Sequence, residues 1–166
     1  MKPFVNFLCV LTALTALTTL FTVQTIAQTG EKTDKTLSTE KPEQLAIGGY
    51  DAVAYFSDSK AVQGKAEFTH VWKDLTWRFA SAEHREMFKS NPDNYAPQYG
   101  GHCAYAVCKK NALFAADPTV WKIVQGKLYL NYNAKTAEMW AKEPLDKSIM
   151  QGDEHWKTLK SRTNAQ

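Results

Sequence analysis

The sequence of 166 residues has few cysteines and little net charge, and it lacks the common motifs of nucleotide-binding and hydrolytic enzymes. It contains 3 cysteines, and its formal net charge of +3 gives no strong attraction to a polyanion. No glycine-rich phosphate loop, Gly-x-Ser-x-Gly elbow or His-Glu-x-x-His helix occurs. These absences argue against a nucleic-acid partner and against the standard hydrolase and nucleotide-binding classes.

The first 27 residues have the pattern of a secretory signal peptide. Lys2 precedes an apolar, threonine-containing run over residues 4–21, and Thr-Ile-Ala at residues 25–27 is a small-x-small cleavage site. Cys9 lies inside the apolar run, so no lipid attachment is predicted. We therefore expect an exported protein, periplasmic or secreted, with no stable membrane insertion after the signal peptide is removed.

The rest of the chain divides into a linker and one folded domain. Residues 28–44 are rich in Thr, Lys and Glu, which predicts a flexible linker. Aromatic and β-branched residues in short runs begin at Leu45, and we assign residues 45–145 to the domain. Residues 146–166 are predicted as a C-terminal helical extension.

Local patterns in the domain predict two β-hairpins. Residues 65–72 and 75–80 alternate apolar and polar side chains on either side of a short turn, and residues 120–132 show a second hairpin around a Gln-Gly turn. Ahead of the first hairpin, residues 48–56 contain a glycine turn, and Asp51 is best explained as the N-cap of one helical turn.

Helical patterns follow each hairpin. Ser81 is a suitable N-cap for a helix within residues 81–92, which ends near a proline. Residues 134–144 and 145–160 have helical spacing, and an interruption of the last helix is expected near Gly152. This order, without βαβ units, predicts a small single α+β domain of two β-hairpins with packed helices.

The segment QYGGHCAYAVCKK at residues 98–110 contains both cysteines that lie outside the signal peptide. Together with His102 they offer two soft ligands and one borderline ligand, a set better suited to copper(I) than to structural zinc, which needs four ligands. In a helix, Cys103 and Cys108 would be about 140° apart around the axis, too far to bond. In an irregular loop their disulfide is feasible, and a reactive thiol at a helix start is a third alternative.

Several separated motifs resemble the YHS-domain family. GYDAVAYF at residues 49–56, WKDLTWRFASAEHREMF at residues 72–88 and NPDNYAPQYGGHCAYAV at residues 91–107 occur in the family's order. The similarity extends through the hairpin at residues 121–133. More narrowly, the chain is similar to an exported bacterial branch with a Gly-Tyr-Asp-Pro-Val-Ala-Tyr-Phe opening. The resemblance implies a compact hairpin-and-helix unit over roughly residues 45–145.

The resemblance also implies soft-metal binding, because metal-handling relatives hold the ion with cysteine thiolates. In this sequence Ala54 and Ala80 stand where two of those cysteines would fall, and His84 stands at the third position. Since alanine has no donor atom, only His84 of that set can coordinate. The family resemblance implies that the predicted helix containing His84 packs near the cysteine segment, where His84 would complete the ligand set.

We therefore expect a domain that binds a copper or zinc ion through Cys103, Cys108, His102 and His84. The alternative is a non-enzymatic module for a small ligand or a protein partner, with a structural Cys103–Cys108 disulfide. A thiol redox protein is the third hypothesis, although the sequence favours a non-enzymatic protein. Aromatic residues that could line a ligand pocket occur in the matching motifs: Tyr50, Tyr55, Trp72, Trp77, Tyr95, Tyr99 and Tyr105.

Overall fold

The described part of the protein, residues 44–163 of a computed structural model, contains two antiparallel β-hairpins and six α-helices. This arrangement confirms the predicted α+β fold of two hairpins with packed helices. The predicted signal peptide at residues 1–27 and the predicted linker up to residue 43 lie outside the described residues.

The helices and strands alternate in short elements, and only the last helix is long. In chain order they are α1 (Ala54–Ser57), β1 (Lys65–Trp72), β2 (Leu75–Phe79), α2 (Ala82–Ser90), α3 (Pro92–Tyr95), α4 (Ala104–Lys110), β3 (Asp117–Val124), β4 (Lys127–Asn131), α5 (Ala134–Ala141) and α6 (Leu145–Thr163). Two 3₁₀ turns, Ala46–Gly49 and Gln98–Gly101, precede α1 and α4.

One structural unit occurs twice along the chain, and equivalent positions in the two copies differ by 52 in residue number. In each copy a left-handed turn leads into a short helix, a bulged hairpin and a helix that begins with a side-chain cap. We call residues 47–92 the first repeat and residues 99–144 the second repeat. The sequence patterns above did not predict this repeat.

Backbone angles and strand registers agree between the repeats. The residues that open them, Ile47 and Tyr99, both have a positive φ, of 42° and 56°. The pairing of β1 with β2 shifts register between residues 65 and 69, and that of β3 with β4 shifts between residues 117 and 121. A shared bulge at the same relative position indicates one common local fold.

The capped helices after the hairpins also correspond. Ser81 accepts a hydrogen bond from the backbone N–H of His84 at the start of α2, as predicted. Asn133 accepts one from Thr136 at the start of α5. Such caps satisfy backbone donors that have no partner within the helix, and each stabilises it by about 1 kcal/mol.

Three buried clusters form the core, and one of them joins the two repeats. The first repeat packs Trp77, Phe79 and Phe88 into one cluster. The second repeat and α6 share another, in which Trp140 is fully buried. Tyr55 of the first repeat joins Leu128 and Leu130 of the second repeat in a third cluster. Burial of each such side chain stabilises the fold by about 1.5–3 kcal/mol.

The last helix runs without a break through Gly152, so the predicted interruption of this helix is wrong. A Cβ atom at this position would lie 2.5 Å from Cys108 Sγ and 2.6 Å from Tyr99 Oη. The glycine therefore permits close approach of α6 to α4. Ile149 and Leu159 of α6 are buried in the cluster of the second repeat, so the predicted C-terminal extension contributes to the core.

Candidate functional site

Both cysteines of the predicted site are buried and are free thiols. Cys103 is the N-cap residue of α4, and Cys108 lies within that helix. The segment thus adopts the helical alternative, in which two cysteines five positions apart point in different directions. The disulfide that the loop alternative allowed is not formed between them.

The Cys103 thiol fills a junction between α4 and the end of β4. The backbone N–H of Tyr132 donates to Cys103 Sγ at 3.2 Å, and the thiol lies 3.7 Å from Oδ1 of Asn131. The same Asn131 oxygen accepts from the backbone N–H of Tyr105 at 3.2 Å. These contacts satisfy buried polar groups, which is a structural role.

The Cys108 thiol faces the side of the helix that packs on α6. Its Sγ lies 3.8 Å from Tyr99 Oη, and the Tyr99 hydroxyl donates to Asp153 Oδ1 at 3.1 Å. Burial raises the pKa of the Cys108 thiol. A buried thiol that stays protonated is a poor nucleophile and a poor metal ligand, which argues against the redox hypothesis for this residue.

The two predicted histidine ligands lie in different surroundings. His102 contacts the carbonyl oxygen of Tyr99 through Nδ1 at 3.0 Å, and its ring centroid is 6.1 Å from that of Trp156. His84 lies on α2, where its Nδ1 is 2.7 Å from Oδ2 of the buried Asp51. Asp51 also accepts hydrogen bonds from the backbone N–H groups of Val53 and Ala54. The N-cap residue of α1 is nevertheless Val53, two residues after the predicted cap.

The structure does not bring the four predicted ligands together as one group. Among residues 44–163, no group of three or more His, Cys, Asp or Glu side chains is arranged to hold a metal ion. The two cysteine side chains are engaged in different parts of the core, and His84 is engaged with Asp51. Soft-metal binding stays a prediction from the sequence.

A cleft of about 920 Å³ is the candidate ligand site in the described part of the chain. It lies where the turn of the first hairpin, the segment between the repeats and α6 meet. Its aromatic lining consists of Trp72, Trp77, Tyr99, His102 and Trp156. Its charged lining consists of Lys73, Asp74, Asp93 and Lys160. An aromatic cleft with a few polar groups is the usual form of a small-molecule site.

The charged side chains lie at the exposed rim of the cleft. Lys73 Nζ lies 3.8 Å from the centroid of the Trp72 ring and 3.2 Å from Asp93 Oδ1. Because the side chains of Lys73 and Asp93 are 66% and 79% exposed, their ion pair contributes at most about 1 kcal/mol to stability. Charges held this weakly can turn toward a ligand at little cost.

Sequence patterns predicted only part of this lining. Trp72, Trp77 and Tyr99 were among the aromatic candidates, whereas Trp156 on α6 was not. No local spacing links residue 156 to residue 72, because only the packing of α6 on the second repeat brings them to one cleft. His102, which was also predicted as a metal ligand, lines the cleft.

No family model, curated protein or solved structure matches this chain. The resemblance to the YHS-domain family stays a prediction. Within residues 44–163, no helix combines the length and apolar character required to span a bilayer.

Proposed function

We propose that the protein is a binding domain for a small organic molecule with a flat apolar face. The observation that supports this function most strongly is the cleft in which Trp72, Trp156 and His102 share one surface. Flat indole and imidazole rings offer large contact areas to a planar ligand, and rigid aromatic side chains lose little entropy when they bind.

The surroundings of the cleft support the same ligand class. The rim carries both signs of charge, so a ligand with one polar group can be oriented without a strong overall charge requirement. The two cysteines that suggested metal chemistry are buried away from solvent and occupied by core contacts. The accessible chemistry is therefore aromatic and polar.

The test is a fluorescence titration with anilinonaphthalene sulfonate, an aromatic anion that contains a flat naphthalene ring. We expect saturable binding at one site, and we expect Trp156→Ala to weaken it by about tenfold or more, as removal of an aromatic anchor does. His102→Ala should weaken it less. Circular dichroism and the melting temperature establish that each variant is folded.

A matched control is Tyr132→Ala, because Tyr132 is an exposed aromatic residue that does not line the cleft. This variant should bind the probe like the unaltered protein. Binding that does not saturate, or that Tyr132→Ala and Trp156→Ala reduce equally, would contradict the proposed function.

A further inference from the structure

A second cluster of reactive side chains lies outside the cleft, where α1 meets α2 in the first repeat. Asp51 Oδ2 is 2.7 Å from His84 Nδ1, and His84 Nε2 is 3.3 Å from Ser57 Oγ. Asp51 is fully buried, the His84 side chain is 14% exposed, and Ser57 is exposed. One line of polar contacts therefore leads from a buried carboxylate through an imidazole to a hydroxyl at the surface.

The surroundings of Asp51 fix the direction of these hydrogen bonds. Its Oδ1 accepts from the backbone N–H groups of Val53 at 2.8 Å and Ala54 at 3.3 Å. Its Oδ2 accepts from Ala80 at 2.8 Å. A carboxylate held by three such donors is an acceptor for the Nδ1–H of His84, and in the neutral tautomer that makes this bond Nε2 presents its lone pair to the serine.

This orientation is the one in which a histidine acts as a general base toward a serine hydroxyl. The proton of Ser57 has two acceptors within reach, since Oγ is also 3.3 Å from the carbonyl oxygen of Val53. Rotation of the exposed Ser57 side chain switches its hydroxyl proton between these two acceptors.

The second repeat shows that the fold does not require these three side chains. The positions of Asp51, Ser57 and His84 are occupied there by Cys103, Lys109 and Thr136. The backbone at this junction is nevertheless hydrogen-bonded. Sγ of Cys103 accepts from the N–H of Tyr132, the position equivalent to Ala80.

A further pair of equivalent contacts involves the N–H groups of Tyr105 and Val53. In the second repeat this N–H donates to Asn131 Oδ1, and in the first repeat it donates to Asp51 Oδ1. The backbone N–H groups at this junction thus need a hydrogen-bond acceptor, but they need neither an imidazole nor a hydroxyl. The presence of His84 and Ser57 in line with Asp51 calls for an explanation beyond packing.

We propose that Ser57, His84 and Asp51 form an acyl-transfer site that acts on small esters with good leaving groups. Ser57 Oγ attacks the ester carbonyl carbon and gives its proton to His84 Nε2. The bond from this carbon to the ester oxygen of the leaving group breaks, and the phenol leaves with that proton. Water then attacks the acyl-serine, His84 takes a proton from the water and returns it to Ser57 Oγ, and a carboxylic acid is released.

The restriction to activated esters follows from the backbone around the serine. The N–H groups of Ser57 and Asp58 donate to the carbonyl oxygens of Val53 and Ala54, within α1. They are therefore engaged and do not offer an oxyanion hole, which in efficient enzymes contributes about 10²–10³ in rate. Phenyl esters, whose leaving groups need less help, are the class that such a site can process.

The first experiment is labelling with a fluorophosphonate probe, followed by peptide mass spectrometry, together with hydrolysis of para-nitrophenyl acetate. We expect one adduct on Ser57, no adduct in Ser57→Ala, and a loss of about 10²-fold or more in hydrolysis for Ser57→Ala. His84→Thr copies the second repeat, so it should fold and lose the reactivity.

The matched control is Ser90→Ala. Ser90 is also exposed near the end of a short helix and donates to a carbonyl oxygen four residues earlier. This variant should keep full labelling and hydrolysis. Adducts spread over several residues, or equal hydrolysis by the Ser57→Ala and Ser90→Ala variants, would overturn the proposal. Neither result bears on ligand binding in the cleft.

Discussion

The two repeats close the same junction with different chemistry. In the first repeat a buried carboxylate holds the backbone and connects to His84 and Ser57. In the second repeat a thiol and an amide from Cys103 and Asn131 hold the equivalent backbone groups and are sealed in the core. The backbone needs only a hydrogen-bond acceptor at this junction, so the other side chains there can take additional roles.

Among the changes that test this difference between the repeats, Asp51→Ala should lower the free energy of unfolding most. The change leaves three buried or half-buried backbone N–H groups and the imidazole of His84 without their acceptor. Loss of a buried charged partner typically costs about 3–5 kcal/mol in the free energy of unfolding. Urea denaturation of Asp51→Ala and of Cys103→Ala measures the difference.

Cys103→Ala should cost less, about 1–2 kcal/mol, because a neutral thiol makes weaker hydrogen bonds and Asn131 still accepts from Tyr105. Equal destabilisation of the two variants would show that the carboxylate and the thiol contribute equally to stability. That result would contradict the distinction drawn between the repeats.

The next effect is expected at the contact between α6 and the second repeat. Gly152→Ala places a methyl group within 3 Å of Cys108 Sγ and Tyr99 Oη, and such overpacking costs about 1–3 kcal/mol. Combining it with Cys108→Ala should recover part of this loss, as a double-mutant cycle will show. Additive effects of the two changes would mean that α6 moves away from α4.

A smaller effect concerns the accessibility of the thiols. Because Cys103 and Cys108 are free and buried, neither should react with iodoacetamide in the native protein, and both should react after denaturation. Intact mass spectrometry counts the alkylations. A mass two hydrogens lower with no alkylation in denaturant would instead establish the disulfide, and a retained copper or zinc mass would restore the metal hypothesis.

The last effect, a loss of stability, is confined to alkaline pH. Burial raises the pKa of Tyr129 from 10.0 to about 12, so the folded state keeps the phenol proton that the unfolded state releases. This contribution is complete below pH 10 and is lost as the pH rises from about 10 to 12. In the Tyr129→Phe variant, the free energy of unfolding should therefore fall less steeply with pH in that window. An unchanged slope would contradict this role of Tyr129.

Much of the fold could be predicted because its signals are local. Alternating residues in β1 and β2 and the cap at Ser81 specify their elements within a few positions. Gly152 was misleading, because a glycine in a helical pattern indicates either a break or a close approach, and only the position of α4 distinguishes them.

The candidate site was harder to predict, because the directions of the side chains decide which residues come together. Cys103 and Cys108 share a short segment, yet a helix turns them toward different neighbours. Ser57 and His84 are distant in sequence, and only folding brings them together. The repeat itself left a faint signal, the recurrence of Gly-Gly and of Glu-Met at a spacing of 52 residues: Gly48-Gly49 with Gly100-Gly101, and Glu86-Met87 with Glu138-Met139.

The most direct test of the proposed function uses the 5 tryptophans of the chain, whose indole N–H signals can be followed by NMR while anilinonaphthalene sulfonate is added. Trp72, Trp77 and Trp156 line the cleft, whereas Trp121 packs on Tyr55 and Trp140 is buried in the core. Binding in the cleft predicts that the first three signals shift to saturation and the other two stay in place. Shifts confined to Trp121 or Trp140, or equal shifts of all five signals, would contradict it.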